Sequence, residues 1–305
     1  MNATHEIGLT SGTVCNIIRD ACITDIRAFK PGNVSAASPG HGMQADDFIT
    51  SASAMAREIA APVPDVGERI LRAVEATRTV VPVNTNLGII LLCAPLAHAA
   101  AARMAERCLR VRLRAVLIGL DVYDAELAYR AIRLAAPGGL GRSDRHDIAH
   151  SPSVALREAM HEASGRDRIA YQYVSDFEDI FETALPALRE SEARWGSRDW
   201  AAVYVYLIML AGFVDSLIVR KHGMDVAADV SRQAADLKLL LGRADDPARE
   251  LPALEAFDRQ LKAKSINPGT TADLTVATLV AMDLEDSLEK LSPASRAGPR
   301  QRMSS

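Results

Sequence analysis

Residues 14–32, VCNIIRDACITDIRAFKPG, decide the fold class. Val14, Ile17, Ile18, Cys22, Ile26 and Phe29 recur three and four positions apart, the spacing that lines one face of an α-helix. Pro31 disfavours helical geometry at the residue before it and Gly32 follows, so this helix ends near Phe29. The same period predicts helices over residues 46–60, 66–79, 89–102, 109–120 and 122–135. Further on it predicts helices over 153–162, 176–194, 199–221, 225–241 and 248–264, and one from the Asn267 turn to about Lys290. Only residues 110–114, where Arg and apolar residues alternate, fit a short strand equally well.

Composition agrees with helices. Aromatic residues make up 5% of the chain while Ala and Leu abound, and these two lose little on entering a helix. No repeat and no shift of composition marks a second unit. The expected architecture is therefore all-α: one multi-helix globular domain over residues 1–291, with a disordered tail over 292–305, rich in Ser, Pro and Arg. Local punctuation is consistent with this. Ser151-Pro152 suits a helix start, Gly223 suits a helix end, and Thr270 with Asp273 has the spacing of a capping box.

Several classes of function are set aside by the bulk properties. A net charge of −4 provides no global positive field for nucleic acid. Residues 79–102 are free of Asp, Glu, Lys and Arg but are interrupted by Pro82, Asn84, Asn86, Pro95 and His98, and the apolar run 200–214 falls short of the roughly 20 residues a bilayer needs. Neither is expected to span a membrane. The N-terminus has no apolar signal core. Cys15, Cys22, Cys93 and Cys108 form no metal-ligand spacing and read as reduced thiols of a cytoplasmic protein.

Polar clusters at predicted helix ends carry the chemistry. Lys30 is either a cation complementing a helix C-terminus or an ammonium projecting past it into a cleft. Asn84-Thr85-Asn86 precedes an apolar helix and exceeds what one N-cap requires. Asp215, set in an apolar run, has to be paired, hydrogen-bonded or metal-bound, with Arg220, Lys221 and His222 following. The segment Asn267-Pro-Gly-Thr-Thr-Ala-Asp273 combines a tight turn, hydroxyls and a helix start, which suits a phosphate, with Asp273 available to Mg²⁺ or a ribose hydroxyl. Residues 138–141 are glycine-rich but lack a strand–loop–helix frame, and His98, His146, His150 and His161 have no evident partner.

In their order and spacing these elements resemble the triphosphoribosyl-dephospho-CoA synthase family. Lys30-Pro-Gly-Asn33-Val34 matches its Lys-Pro-Gly-x-Val, and Gly40-His41-Gly-Met43 with Asp46-Asp47-Phe48 is similar to its Gly-Ala-His-x-Asp-Met. Asn84-Thr85-Asn86-Leu87-Gly88 resembles Asn-Thr-x-Lys-Gly, Asp215 with Arg220 and Gly223 an Asp-Thr-x…Arg-x-Gly segment, and 267–274 the Pro-Gly-x-[Ser/Thr]-Ala-Asp-Leu motif. The resemblance covers about Val14 to Met282. It implies an ATP-dependent transferase that joins the triphosphoribosyl group of ATP to a hydroxyl of 3′-dephospho-CoA and releases adenine.

Carried onto this chain, the resemblance implies catalytic roles for His41, Asp46, Asp47 and Asp215. Lys30, Asn33, Asn84, Thr85, Asn86, Arg220, Lys221, Asn267, Gly269, Thr270 and Thr271 are implied in binding ATP, and Asp47, Asp215 and Asp273 in holding Mg²⁺. The implied partners are ATP and 3′-dephospho-CoA or another small-molecule acceptor, and a homo-oligomer is compatible with the sequence. The chain departs from the pattern at Leu87, where the family has Lys, and at Gly40-His41-Gly42. This divergence leaves a second acceptor open, such as an intermediate of pterin-based one-carbon cofactor synthesis. A non-catalytic helical protein that binds a nucleotide is the reading from another class.

Overall fold

The computed structural model describes residues 6–40, 45–81, 86–138, 141 and 143–291. These form fourteen α-helices and no strand, and the extended pairing among them is two isolated bridges, Ile7 with Met104 and Ser35 with Ser38. The expected tail, together with His41, Asn84 and Thr85, lies outside the described residues.

Two helices build the centre. Helix α4 (Leu87–Ala101) has no charged side chain and is buried on nearly every side. Helix α14 (Gly269–Lys290) buries Leu274, Val276, Leu279, Val280 and Leu284 against it. An all-round apolar helix is stable only inside a helical shell, and α1 (Ser11–Arg27), α2 (Ala45–Ile59), α3 (Val66–Val80) and α5 (Leu109–Gly119) supply part of it. The alternation over 110–114 is therefore helical. Its Arg112 is fully buried and donates to the carbonyls of Ala99, Ala100 and Glu106, occupying acceptors that the end of α4 leaves open.

Helix α6 (Val122–Ala135) follows, closed at its start by a capping box between Asp121 and Asp124. The second half of the chain departs from the sequence reading in four places. Helix α7 (Leu156–Ala163) starts at Ala155 rather than at Ser151-Pro152, and α8 (Arg168–Val174), which Asp167 caps, has no counterpart in the periodicity. The helix expected over 176–194 opens with left-handed Asp176 and Phe177 and a π turn, Asp179–Ala184, before α9 (Leu185–Trp195). The helix expected over 199–221 is two, α10 (Arg198–Gly212) and α11 (Ser216–His222), bent by 55°. The break is stable because Asp215 caps the new start through the amides of Leu217 and Ile218.

Gly223, at φ 88°, ends α11 and turns the chain into α12 (Met224–Arg243). A 3-10 turn, Pro247–Glu250, leads into α13 (Leu251–Ala263). The capping box expected of Thr270 and Asp273 does not form, since α14 starts at Pro268 with no side-chain cap. Among the described residues no single helix is long and apolar enough to cross a membrane. All four cysteines are free, with Cys22 and Cys93 buried.

Candidate active site

Packing α4 beside α14 brings their two N-terminal ends together, and neither end carries a side-chain cap. A cleft of about 530 Å³ opens over them. Its remaining walls are residues 136–138, 141, 143 and 145–148 with α7, the start of α8 and the end of α11. In the first turn of α14 the amides of Gly269, Thr271 and Ala272 are bonded to Asn267, Asp215 and Pro268, but both helix starts present a positive dipole end, the setting in which phosphates bind.

Four separate parts of the chain meet here. Asn33 comes from the turn after α1 and donates its amide to the side-chain oxygen of Asn267 at 2.9 Å. Asn86 stands at the start of α4, Arg220 and Lys221 at the end of α11, and Gly269, Thr270 and Asp273 at the start of α14. Asn86 accepts from Thr77 Oγ1 at 3.3 Å, while its own amide nitrogen is buried without a partner. Arg220 pairs with Asp167 at 2.6 Å. Lys221, exposed at the rim, forms no hydrogen bond or ion pair among the described residues.

Asp273 is the most perturbed acid of the cleft. It makes no hydrogen bond or ion pair among the described residues. Burial, then the charges of Asp215 and Asp25, push its carboxyl well above the usual carboxylate range, against the pull of Arg220. Gly88 explains its position, because a Cβ at residue 88 would fall on the Asp273 carboxylate. Gly88→Ala is expected to displace that carboxylate and lower turnover about 10²-fold, the scale of a misplaced catalytic group, with the helical circular dichroism unchanged. Wild-type turnover in the variant would contradict this placement.

Other expected site residues stand elsewhere. Asp215 is fully buried behind the wall: Oδ1 accepts from the amides of Leu217 and Ile218, and Oδ2 from the amide and hydroxyl of Thr271, both at 2.8 Å. Burial raises its pKa and these hydrogen bonds oppose the rise. With both oxygens occupied, Asp215 and Thr271 form a latch between α11 and α14 rather than facing the cleft. Of the alternatives paired, hydrogen-bonded or metal-bound, this arrangement is the hydrogen-bonded one. Lys30 does not project into the cleft either. It is buried, and its ammonium is folded back onto the carboxylate and carbonyl of Asp25, each at 2.7 Å. Asp46 and Asp47 occupy the first turn of α2, where negative charge complements the helix dipole, and only Phe48 of that turn lines the cleft.

The structure adds residues that sequence reasoning passed over: Asp25, Arg145, His146, Arg166 and Asp167. A signal existed for Asp25, which lies three residues after Cys22 and seven after Ile18, on the apolar face of α1. The segment after the 138–141 glycines carried one too, in its run of Arg, Asp and His.

Comparison with known proteins agrees with the motifs. A stretch of 128 residues is 31% identical to a Pectobacterium carotovorum protein assigned as 2-(5″-triphosphoribosyl)-3′-dephosphocoenzyme-A synthase, covering 42% of this chain and 40% of that one. A stretch of 104 residues is 33% identical to the synthase of that name from Pectobacterium atrosepticum, over 34% of this chain and 32% of the relative. The matches thus span about two-fifths or less of these relatives. A solved structure from Archaeoglobus fulgidus, assigned as a triphosphoribosyl-dephospho-CoA synthase, superposes with a TM-score of 0.58 at 26% identity, covering 77% of this chain and 98% of that one. The family model for CitG, ATP:dephospho-CoA triphosphoribosyl transferase, matches residues 12–292, and the chain belongs to this family.

Proposed function

We propose that the cleft binds ATP and transfers its triphosphoribosyl group to a hydroxyl of 3′-dephospho-CoA, releasing adenine. The observation that carries this reading is the convergence of Asn33, Asn86, Arg220, Lys221, Thr270 and Asp273 on one cleft over two helix starts. The triphosphate lies along the start of α14, where the helix dipole, Thr270, Arg220 and Lys221 offset its charge. Asn33, Asn86 and Asn267 orient the ribose and base. In the transfer, the acceptor oxygen bonds C1′ of the ribose. The hydroxyl proton passes to a base, and the electron pair of the C1′–N9 bond leaves with adenine, which takes up a proton.

Magnesium fits this arrangement as a companion of the substrate. No group of three or more metal-ligating side chains occurs among the described residues. Magnesium is ordinarily held by one or two carboxylates together with substrate phosphates. Asp273 is the cleft carboxylate free to join it, and the ion would neutralise phosphate charge there. Asp215 is not retained as a ligand, because both its oxygens are occupied.

The test is to incubate the protein with ATP, magnesium and 3′-dephospho-CoA and separate the bases and nucleotides. Adenine appearing in step with acceptor consumption is expected. ADP or pyrophosphate in its place would contradict the reading. Adenine released only with a different acceptor would move the proposal to that acceptor.

A further inference from the structure

Resting on this reading of the cleft, we propose that Asp25 is its catalytic base, taking the proton of the acceptor hydroxyl, and that Lys30 is the residue that positions it. Asp25 is 5% exposed, and Lys30 is 1% exposed. One carboxylate oxygen, Oδ2, is fixed by the Lys30 ammonium. The other, Oδ1, is buried without a hydrogen-bond partner among the described residues, and the residue lines the cleft. A buried ion pair with an oxygen left over is unfavourable as a device for stability alone, since its desolvation is not fully compensated.

A second orphan lines the same cleft. The amide nitrogen of Asn86, a donor, is buried and without a partner among the described residues. Asp25 Oδ1 needs a group that donates, and a hydroxyl does so. A phosphate cannot serve, because it would set anion against anion at Asp25.

Elimination among the lining acids points the same way. Asp167 is engaged by Arg220 and caps α8, Asp147 accepts from the amides of Ser143 and Ala149, and Glu162 faces Arg145 at the rim. Asp273 sits on the phosphate side, beside the start of α14. Asp25 is left, and there burial raises its carboxyl and Lys30 opposes the rise, so that it accepts a proton more readily than an exposed carboxylate does. The groups that face it electrostatically are Lys30, Cys22 on its own helix, Tyr206 of α10 and Asp273 of α14. In the step, the hydroxyl proton moves to Asp25 Oδ1 as the oxygen bonds C1′. Adenine departs with the C1′–N9 electron pair and takes a proton from water, and Asp25 later returns its proton to solvent.

The experiment uses Asp25→Asn, the double variant Asp25→Asn/Lys30→Met, which leaves no buried ammonium unpaired, and Lys30→Gln. Both Asp25 variants are expected to lose about 10³-fold in kcat, the scale of a lost general base, with ATP affinity kept. By calorimetry the wild type should bind 3′-dephospho-CoA about tenfold more tightly than its 2′-deoxy analogue, and the double variant should bind the two alike. Lys30→Gln should move the acid limb of kcat to higher pH, because the nearby cation that favours the ionised carboxylate is gone.

A double variant with kcat within threefold of wild type overturns the proposal, as does one that keeps the hydroxyl discrimination or an unmoved limb in Lys30→Gln. So does a double variant that instead stops distinguishing ATP from purine riboside triphosphate, since the carboxylate would then face the adenine amino group. Absence of adenine release by the wild type refutes the reading of function, whereas the two binding comparisons decide the role of Asp25 independently of turnover.

Discussion

Asp273→Asn is expected to lower adenine release by about 10²–10³-fold, the range seen when one electrostatic contact to a transition state is lost, while raising the melting temperature at neutral pH. The two effects share one cause. Asp273 is held over Gly88 without a hydrogen bond, beside Asp215 and Asp25, so its carboxyl ionises at a pH well above the usual value. Between the unfolded pKa of about 3.9 and the raised folded value, the folded protein binds more protons than the unfolded one. Stability therefore falls as pH rises through that window, and the penalty remains above it.

Asparagine removes the penalty. The gain in melting temperature should be absent below about pH 4 and grow toward neutrality, as read by thermal denaturation across a pH series. ATP and magnesium should raise the wild-type melting temperature more than that of the variant, since ligand binding stabilises by mass action. An Asp273→Asn protein less stable than wild type at pH 7 would show that the carboxylate is structural.

The second large effect is on stability. Asp215→Ala is expected to destabilise the fold by about 3–5 kcal/mol, because it strips two helix starts of their acceptor and leaves the buried amides of Leu217, Ile218 and Thr271 unpaired. For a chain of this size that is a fall in melting temperature of roughly 5–8 °C, measurable by circular dichroism. The break between α10 and α11 depends on the same side chain, so the loss should include helical signal. Were Asp215 a metal ligand instead, the alanine variant would keep its melting temperature and lose only its response to magnesium.

The fold was largely legible because helix periodicity is a local property. The apolar positions of α1 and the uninterrupted apolar run of α4 announce an amphipathic helix and a central one without tertiary information. The misplacements arise where tertiary contacts override the period. Asp215 breaks a continuous apolar pattern because its carboxylate finds Thr271, 56 residues further along the chain. Helix α8 is too short to show a period.

The candidate site was legible as motifs but not as roles. Asn33, Asn86, Arg220, Asn267 and Thr270 are where the motifs place them, around one cleft. Lys30 and Asp215 carry motif positions too, yet their charges are turned inward, and whether a buried charge faces a ligand or a neighbour depends on packing across the chain. Asp25 was visible as a carboxylate on the apolar face of α1, and Lys30, five residues on, bonds it.

The central claim is that the cleft carries the C1′ carbon of ATP from adenine to an acceptor oxygen. Nuclear magnetic resonance of a reaction run with ATP labelled with carbon-13 at C1′ tests it most directly. A labelled anomeric carbon bonded to the acceptor oxygen, appearing together with free adenine, is the predicted result. Label found in ADP, or in a free triphosphoribose released by water, would contradict it.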